Sequence, residues 1–439
     1  FGAWKNAQCY YAPAWVKTDT ERFRRAQMEK GKNLVNLKKF YQMPYTTLSY
    51  LCDATRDADA RAFARLMRHL QEVDGEACTV VAVQVENETG VMGNAREMSD
   101  EADALFAAEV PQAFVDYMKE NVQDMAPDVA EAVRQGADSG SWEAVFGECA
   151  GEIFSAYHIA SYVNAVAAAG KAEYPLPMTV NCWLDKGEEP GMYPSGGPVS
   201  RMMEVWEYCA PQIDVFAPDI YVPDFPGICD AYVKRGNPLF IPECATHSYA
   251  GVRQVYAVGH YHAMCYAPFG FEDIGKPFNA QQGALFGMDV SDPALKTPQS
   301  VEEYYWFTHN LQEMMPLLGD RYGTGDLQAV SGERKEENEM LFGSFGFRVN
   351  LEDPAIVDGR GVCLILKETE DTFYVMIHAA GLLPFSTDEK KPYVDLLLLE
   401  EGQFEDGVWK AGRRFNGDEA TSLRYEEPAL LKVKLFAYA

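Results

Sequence analysis

Two glutamates stand where apolar runs stop abruptly: Glu88 closes VVAVQVENE and Glu243 closes LFIPE. Strand interiors avoid acids, so a carboxylate in that position marks either the point where a strand surfaces or a strand tip that carries chemistry. For one glutamate alone, surfacing is the commoner explanation. A pair on separate strands fits a specific reaction, the cleavage of a glycosidic bond. One carboxyl group protonates the leaving oxygen and the other attacks the anomeric carbon, the two standing about 5–5.5 Å apart when configuration is retained.

Such a pair needs two different surroundings. The general acid has to hold its proton near neutrality, which burial or a neighbouring negative charge promotes. The nucleophile has to be ionised, and a hydroxyl donor favours that form. Tyr221, two residues beyond Asp219 in DVFAPDIY, is placed to give Glu243 such a donor. A serine hydrolase is disfavoured because no G-x-S-x-G elbow occurs. The ten cysteines are scattered singly, without C-x-x-C or Cys/His clusters, so no structural zinc site is expected, and the two-carboxylate reaction requires no cofactor. His260 and His262 read as hydrogen-bonded helix-end residues, Glu86 as a supporting acid, and the charge run 333–339 as solvated surface.

The elements that would position these acids alternate. Short apolar runs at 1–4, 79–85, 177–183, 213–221, 238–243 and 263–271 read as strands. Helical patterns lie between them at 57–73, 101–120 (restarting at Pro111), 148–169, 198–208 and 252–261, with a last helix opened by the capping box at Ser300. Strand–helix alternation implies a parallel sheet covered by helices. Acids at the C-terminal strand ends point to an α/β (β/α)8 TIM-type barrel over residues 1–320, with its first two strands lying ahead of Phe1. From 321 to 439 the pattern changes to strands without helices, at 339–348, 361–369, 372–379, 393–399, 402–409 and 430–437. Asp406-Gly407 supplies a hairpin turn, and the region reads as an all-β sandwich-like domain.

The bulk composition agrees with a folded enzyme. At 47% hydrophobic and 13% aromatic residues, the chain of 439 residues is globular and large enough for more than one core. A formal charge of −28 disfavours nucleic acid and anionic membrane surfaces as partners and favours a neutral substrate. The cysteine usage suits a reducing cytoplasm, with any signal peptide lying ahead of Phe1. Uncovered sheet edges in a barrel short of two strands would favour a homo-oligomer.

The stretch Gln84-Val85-Glu86-Asn87-Glu88 resembles the QVENE motif of glycoside hydrolase family 35, the acid β-galactosidases. The tail LLEEGQFEDGVWKAGRRFNGDE resembles the extra C-terminal domain of a bacterial subgroup of β-galactosidase-like proteins. The family's clan carries its acid/base after an asparagine on strand 4 and its nucleophile on strand 7. If 1–4 is strand 3, Glu88 and Glu243 fall on those two strands. The resemblance implies Glu88 as acid/base, Glu243 as nucleophile, Asn87 as a ligand of the sugar 2-hydroxyl and Tyr221 as the partner of Glu243. Here QVENET stands where QVENEY is commoner. Trp4, Lys5 and Asn6, the strand-tip residues Asn181 and Trp183, and Phe269 are further candidates for the sugar-binding wall, with core packing the commoner role for Trp183. The expected activity is a retaining exo-β-galactosidase acting on a β-galactoside or related oligosaccharide. The alternatives are the same machinery on a glucoside, fucoside or arabinoside, or a non-catalytic carbohydrate-binding or assembly component.

Overall fold

The computed structural model describes residues 11–37, 44–247, 249–277, 283, 297–334, 336–351, 361–420 and 423–439. The chain divides into two compact units, Phe1–Asp219 and Ile220–Ala439. It is a mixed α/β protein in which parallel strands alternate with helices and antiparallel sheets follow.

In the first unit a short antiparallel pair, β1 (Val35–Asn36) and β2 (Pro44–Tyr45), precedes the helix Asp53–Asp74. Three parallel strands come next: β3 (Val83–Gln84), β4 (Met178–Cys182) and β5 (Val215–Ile220). Val83 pairs with Met178, and Thr179 with Val215. Every residue of β4 and β5 is buried, as expected of parallel strands covered on both faces. The cover includes the helix Ala150–Lys171, whose Ile153, Phe154, Ile159, Val163 and Val166 are fully or nearly fully buried. The helix expected over 101–120 is two helices, Asp100–Ala107 and Gln112–Glu120. Ser99 caps the first by accepting from Ala102 N–H, and Pro111 stands at the start of the second.

The strand expected over 79–85 is only the two residues of β3. The Thr79 and Val80 amides donate to the Asp74 carboxylate at 3.1 and 2.8 Å instead of to a neighbouring strand. Downstream, Glu86 and Glu88 take positive φ values of 122° and 44°, which end the extended backbone.

In the second unit β6 (Phe240–Cys244) runs parallel to β7 (Cys265–Pro268), with the helix Ala250–Tyr261 between them in sequence. The helix Val301–Gly319 follows, and the Ser300 hydroxyl accepts from Glu303 N–H at 3.2 Å, as the capping box predicts. The antiparallel strands are β8 (Leu327–Ser331), β9 (Glu339–Phe342), β10 (Phe345–Asn350), β11 (Val362–Lys367), β12 (Thr372–His378), β13 (Ala380–Ser386), β14 (Tyr393–Glu405), β15 (Val408–Arg414), β16 (Arg424–Tyr425) and β17 (Ala429–Tyr438). They form a four-stranded sheet, β16-β13-β10-β9, and a six-stranded sheet, β15-β14-β17-β12-β11-β8.

The strand expected over 339–348 is a hairpin that turns at Gly343, where φ is 70°. The runs 393–399 and 402–409 become one long strand, β14, and its partner β15. The turn between them has Asp406 and Gly407 both at positive φ, as a tight hairpin requires.

Alternation along β11 and β12 shows why these two strands of the six-stranded sheet are buried on both faces. Cys363, Ile365, Phe373, Val375 and Ile377 pack with Phe347, Met340 and Leu382 of the other sheet. Leu364, Leu366, Tyr374 and Met376 pack with Val255, Val258, Phe307 and Leu311 of the two helices. The antiparallel region therefore shares a core with the helical part of its own unit.

The described residues contain five parallel strands, β3 to β7, in place of the eight of a closed barrel. The expected strand at 1–4 lies outside the described residues. Among the described residues no helix is long and apolar enough to cross a membrane.

Candidate active site

Glu88 sits just past β3 and is buried, at 6% exposure, while its neighbour Asn87 is exposed. The backbone turns sharply here because Glu86 and Glu88 both hold positive φ, a conformation that costs side-chain-bearing residues of order 1–3 kcal/mol each. A hydrogen-bonded set holds it in place. The Glu88 amide donates to Asn181 Oδ1 at 3.0 Å. Asn181 Nδ2 donates to Asn87 Oδ1 at 3.1 Å and to Asp219 Oδ2 at 2.8 Å. Gln84 Nε2 also points at Asn87 Oδ1, at 3.4 Å. With its oxygen accepting, the Asn87 amide has its NH2 to donate, and that group lies 3.4 Å from Glu88 Oε2.

Asn181 is 1% exposed and spends both donor directions inside this set. It comes from within β4, and Asp219 from the end of β5, next to Ile220. Strand pairing of Asn181 with Ala217 sets the pair's register. Sequence reasoning placed Asn181 at a strand tip but gave Asp219 no role. The signal was the acid two residues before Tyr221 inside an otherwise apolar strand.

The loop carrying Glu88 is pinned from one side by the segment that follows β4. Val91 and Ser195 exchange both backbone hydrogen bonds, at 3.0 and 2.9 Å, and Gly93 N donates to Gly191 O at 2.8 Å. Glycine is required where the two backbones touch. A Cβ on Gly90 would lie 2.4 Å from Pro194 O, and one on Gly197 would lie 2.1 Å from Thr89 O. Trp206 Nε1 donates to Gly196 O and secures the same loop.

In the second unit Tyr221 donates its hydroxyl to Glu243 Oε2 at 2.9 Å, and both residues are half-buried. Backbone bonds align the strand ends that carry them: Ala245 N donates to Ile220 O, and Phe269 N donates to Cys244 O at 2.9 Å. Phe269 is 51% exposed just past β7. Trp183 is half-buried directly after β4. Trp4, Lys5 and Asn6 lie outside the described residues. His260 and His262 contact the carbonyls of Ala329 and Leu327, both at 3.2 Å, and so brace a helix end.

A cavity of about 1050 Å³ in the first unit belongs to other residues. Its wall includes Glu152 and Arg201, which pair at 2.9 Å, while Tyr193 donates to Glu152 at 2.6 Å. Burial pushes the Glu152 carboxyl upward and the Arg201 charge opposes that shift. None of Asn87, Glu88 or Asn181 lines it.

Residues 309–425 match a family described as a domain of unknown function, DUF5597. No curated protein matches the chain. Among solved structures the chain is similar to a β-galactosidase from the psychrophilic Marinomonas ef1, at 12% identity and TM-score 0.41 over 74% of this chain and 50% of that one. It is similar to BuGH86 in complex with neoagarooctaose at 12% identity and TM-score 0.28, over 63% of this chain and 47% of that one. It is also similar to an endogalactoceramidase at 12% identity and TM-score 0.23, over 74% of this chain and 64% of that one. The chain thus spans about half the length of the first two. All three TM-scores lie below 0.5, and no residue of this chain takes a role from them.

Proposed function

We propose that the protein is a retaining exo-β-glycosidase whose substrate is a β-galactoside, with Glu88 as acid/base and Glu243 as nucleophile. The observation that carries the reading is the hydroxyl of Tyr221 donating to Glu243 at 2.9 Å, because such a donor fixes the carboxylate in one orientation for attack. The buried Glu88, backed by Asn87, Asn181 and Asp219, supports the complementary role. The choice of galactose rests on the likeness of residues 84–88 to the QVENE motif.

In the first step the Glu88 carboxyl gives its proton to the glycosidic oxygen as a Glu243 oxygen bonds to the anomeric carbon and the aglycone departs. In the second step water attacks that carbon, Glu88 accepts the water's proton, and the ester to Glu243 breaks. The Asn87 NH2, beside Glu88, donates to the sugar 2-hydroxyl, and the exposed Phe269 ring offers a stacking face. Asn181 acts by positioning, since its donors are already used.

A panel of aryl β-galactosides, glucosides, fucosides and arabinosides tests the reading. The wild-type chain should turn over the galactoside fastest, and Glu243→Gln and Glu88→Gln should each lose about 10²–10⁴-fold on poor leaving groups. Absence of turnover on every member, or a Glu243→Gln variant as active as wild type, would overturn it.

A further inference from the structure

We infer that the antiparallel β region positions the candidate nucleophile, through an ion pair between Glu333 and the buried Arg253. The inference rests on the reading of Glu243 given above and assigns work to a segment inside residues 309–425, which match only a domain of unknown function.

Arg253, on the helix Ala250–Tyr261, is 4% exposed. Its Nε lies 3.1 and 2.9 Å from the two Glu333 oxygens, and its Nη2 donates to Glu333 Oε1 at 2.5 Å. The guanidinium has two further contacts. Nη2 donates to the Pro223 carbonyl at 2.8 Å, and Nη1 lies 3.2 Å from His247 Nε2. Pro223 is two residues beyond Tyr221, and His247 is four residues beyond Glu243. One planar group therefore ties together the two loops that leave the Tyr221–Glu243 pair. A guanidinium suits this because its donors are fixed in one plane. The rings of Phe225 and Tyr249 lie 5.0 and 5.8 Å from its central carbon and limit its movement.

Glu333 is itself held by the β region. It follows β8, its amide donates to the Ser331 hydroxyl at 3.2 Å, and Gly332 N donates to Gly361 O at 2.7 Å. The adjacent Arg334 pairs with Asp230 at 2.5 Å, and Asp230 accepts from Tyr261 at 2.8 Å. Removing the Glu333 charge leaves a buried cation without its carboxylate, so Arg253 would reorient and release Pro223 and His247. Glu333 touches neither substrate nor nucleophile; it is a positioning residue.

The test uses the full chain and an aryl β-galactoside. In Glu333→Gln, kcat should fall roughly 10- to 100-fold while KM stays within about 3-fold, because a displaced nucleophile weakens attack more than binding. Glu333→Asp should recover part of the loss. Should Glu333→Gln fail to fold, the double variant Arg253→Met, Glu333→Met removes both charges at similar volume and should fold with the same kcat defect. A structure of either variant gives a readout independent of turnover: the Tyr221–Glu243 hydrogen bond should be broken in an otherwise intact fold. A folded variant that keeps that bond, or wild-type kcat in Glu333→Gln, overturns the inference. An inactive wild-type chain overturns the functional reading instead, and the variant structure still decides whether Glu333 sets the pair.

Discussion

Replacing Asn181 with alanine removes three hydrogen bonds in one change: from the Glu88 amide at 3.0 Å, to Asn87 at 3.1 Å and to Asp219 at 2.8 Å. Neutral bonds of this kind contribute about 1 kcal/mol each, and one to a carboxylate about 1.5–3 kcal/mol, so stability should fall by about 3.5–5 kcal/mol. Water entering the vacated space would bring the loss toward the lower figure. The kinetic effect has a different origin. The positive φ of Glu88 is held by the hydrogen bond its amide donates to Asn181 Oδ1, and release lets the carboxyl drift. A displacement of about 1 Å in a proton donor costs on the order of 10²-fold. The assay is kcat/KM for the variant on aryl β-galactosides graded by leaving-group acidity. A misplaced acid slows poor leaving groups by that factor and barely affects dinitrophenolate, which departs without a proton. The same loss on every leaving group, in protein shown to be folded at the assay temperature, would refute the positioning role.

Other outcomes follow from the same geometry. Tyr221→Phe should lower kcat by roughly 10-fold or more with little change in Tm, because it removes the only hydroxyl shown donating to Glu243 among the described residues and leaves the ring in place; unchanged kcat would contradict the pairing. Gly197→Ala should destabilise the chain by about 1–3 kcal/mol and slow turnover, since its Cβ would force the Thr89 backbone, beside Glu88, to move; thermal melts and rates at a permissive temperature check both effects. His158, packed against Phe154 and Trp142, has its pKa lowered to about 4 by burial, so the fold favours the neutral ring. Stability linked to that ring is intact above pH 6.5 and is lost as pH falls toward 4, about 3 kcal/mol in all. Urea unfolding between pH 7 and pH 4 should show that loss, and His158→Phe should flatten it; identical pH dependence in the variant would contradict the assignment.

Much of the local structure was legible because it depends on residues near in sequence. Ser300 with Glu303 marks a helix start, Pro111 splits a helical pattern, and Asp406-Gly407 demands a tight turn. Each appears where local chemistry puts it. The apolar runs around Val180, Phe216 and Ile241 likewise became parallel strands. What escaped detection depends on distant partners. The run 79–82 looks like a strand, yet the Asp74 carboxylate takes its first two amides. β8 and β13 carry no clean alternation of their own and are extended because β11 and β10 pair with them.

In the site, the acids and Asn87 stood out as polar residues ending apolar runs. The support around them did not. Asp219 matters through Asn181, 38 positions away, and Glu333 through Arg253, 80 positions away. Nothing near Glu333 in the sequence distinguishes it from the other charges of the run 333–339, and only the fold separates its half-buried, Arg253-paired carboxylate from a solvated one.

The assignment of Glu243 as nucleophile is tested most directly by trapping it. The full chain, incubated with a 2-deoxy-2-fluoro-β-galactoside bearing an activated leaving group, should gain one fluorogalactosyl unit, and peptide mapping should place that unit on Glu243. A folded chain that acquires no adduct, or one that carries it on another residue, would contradict the account.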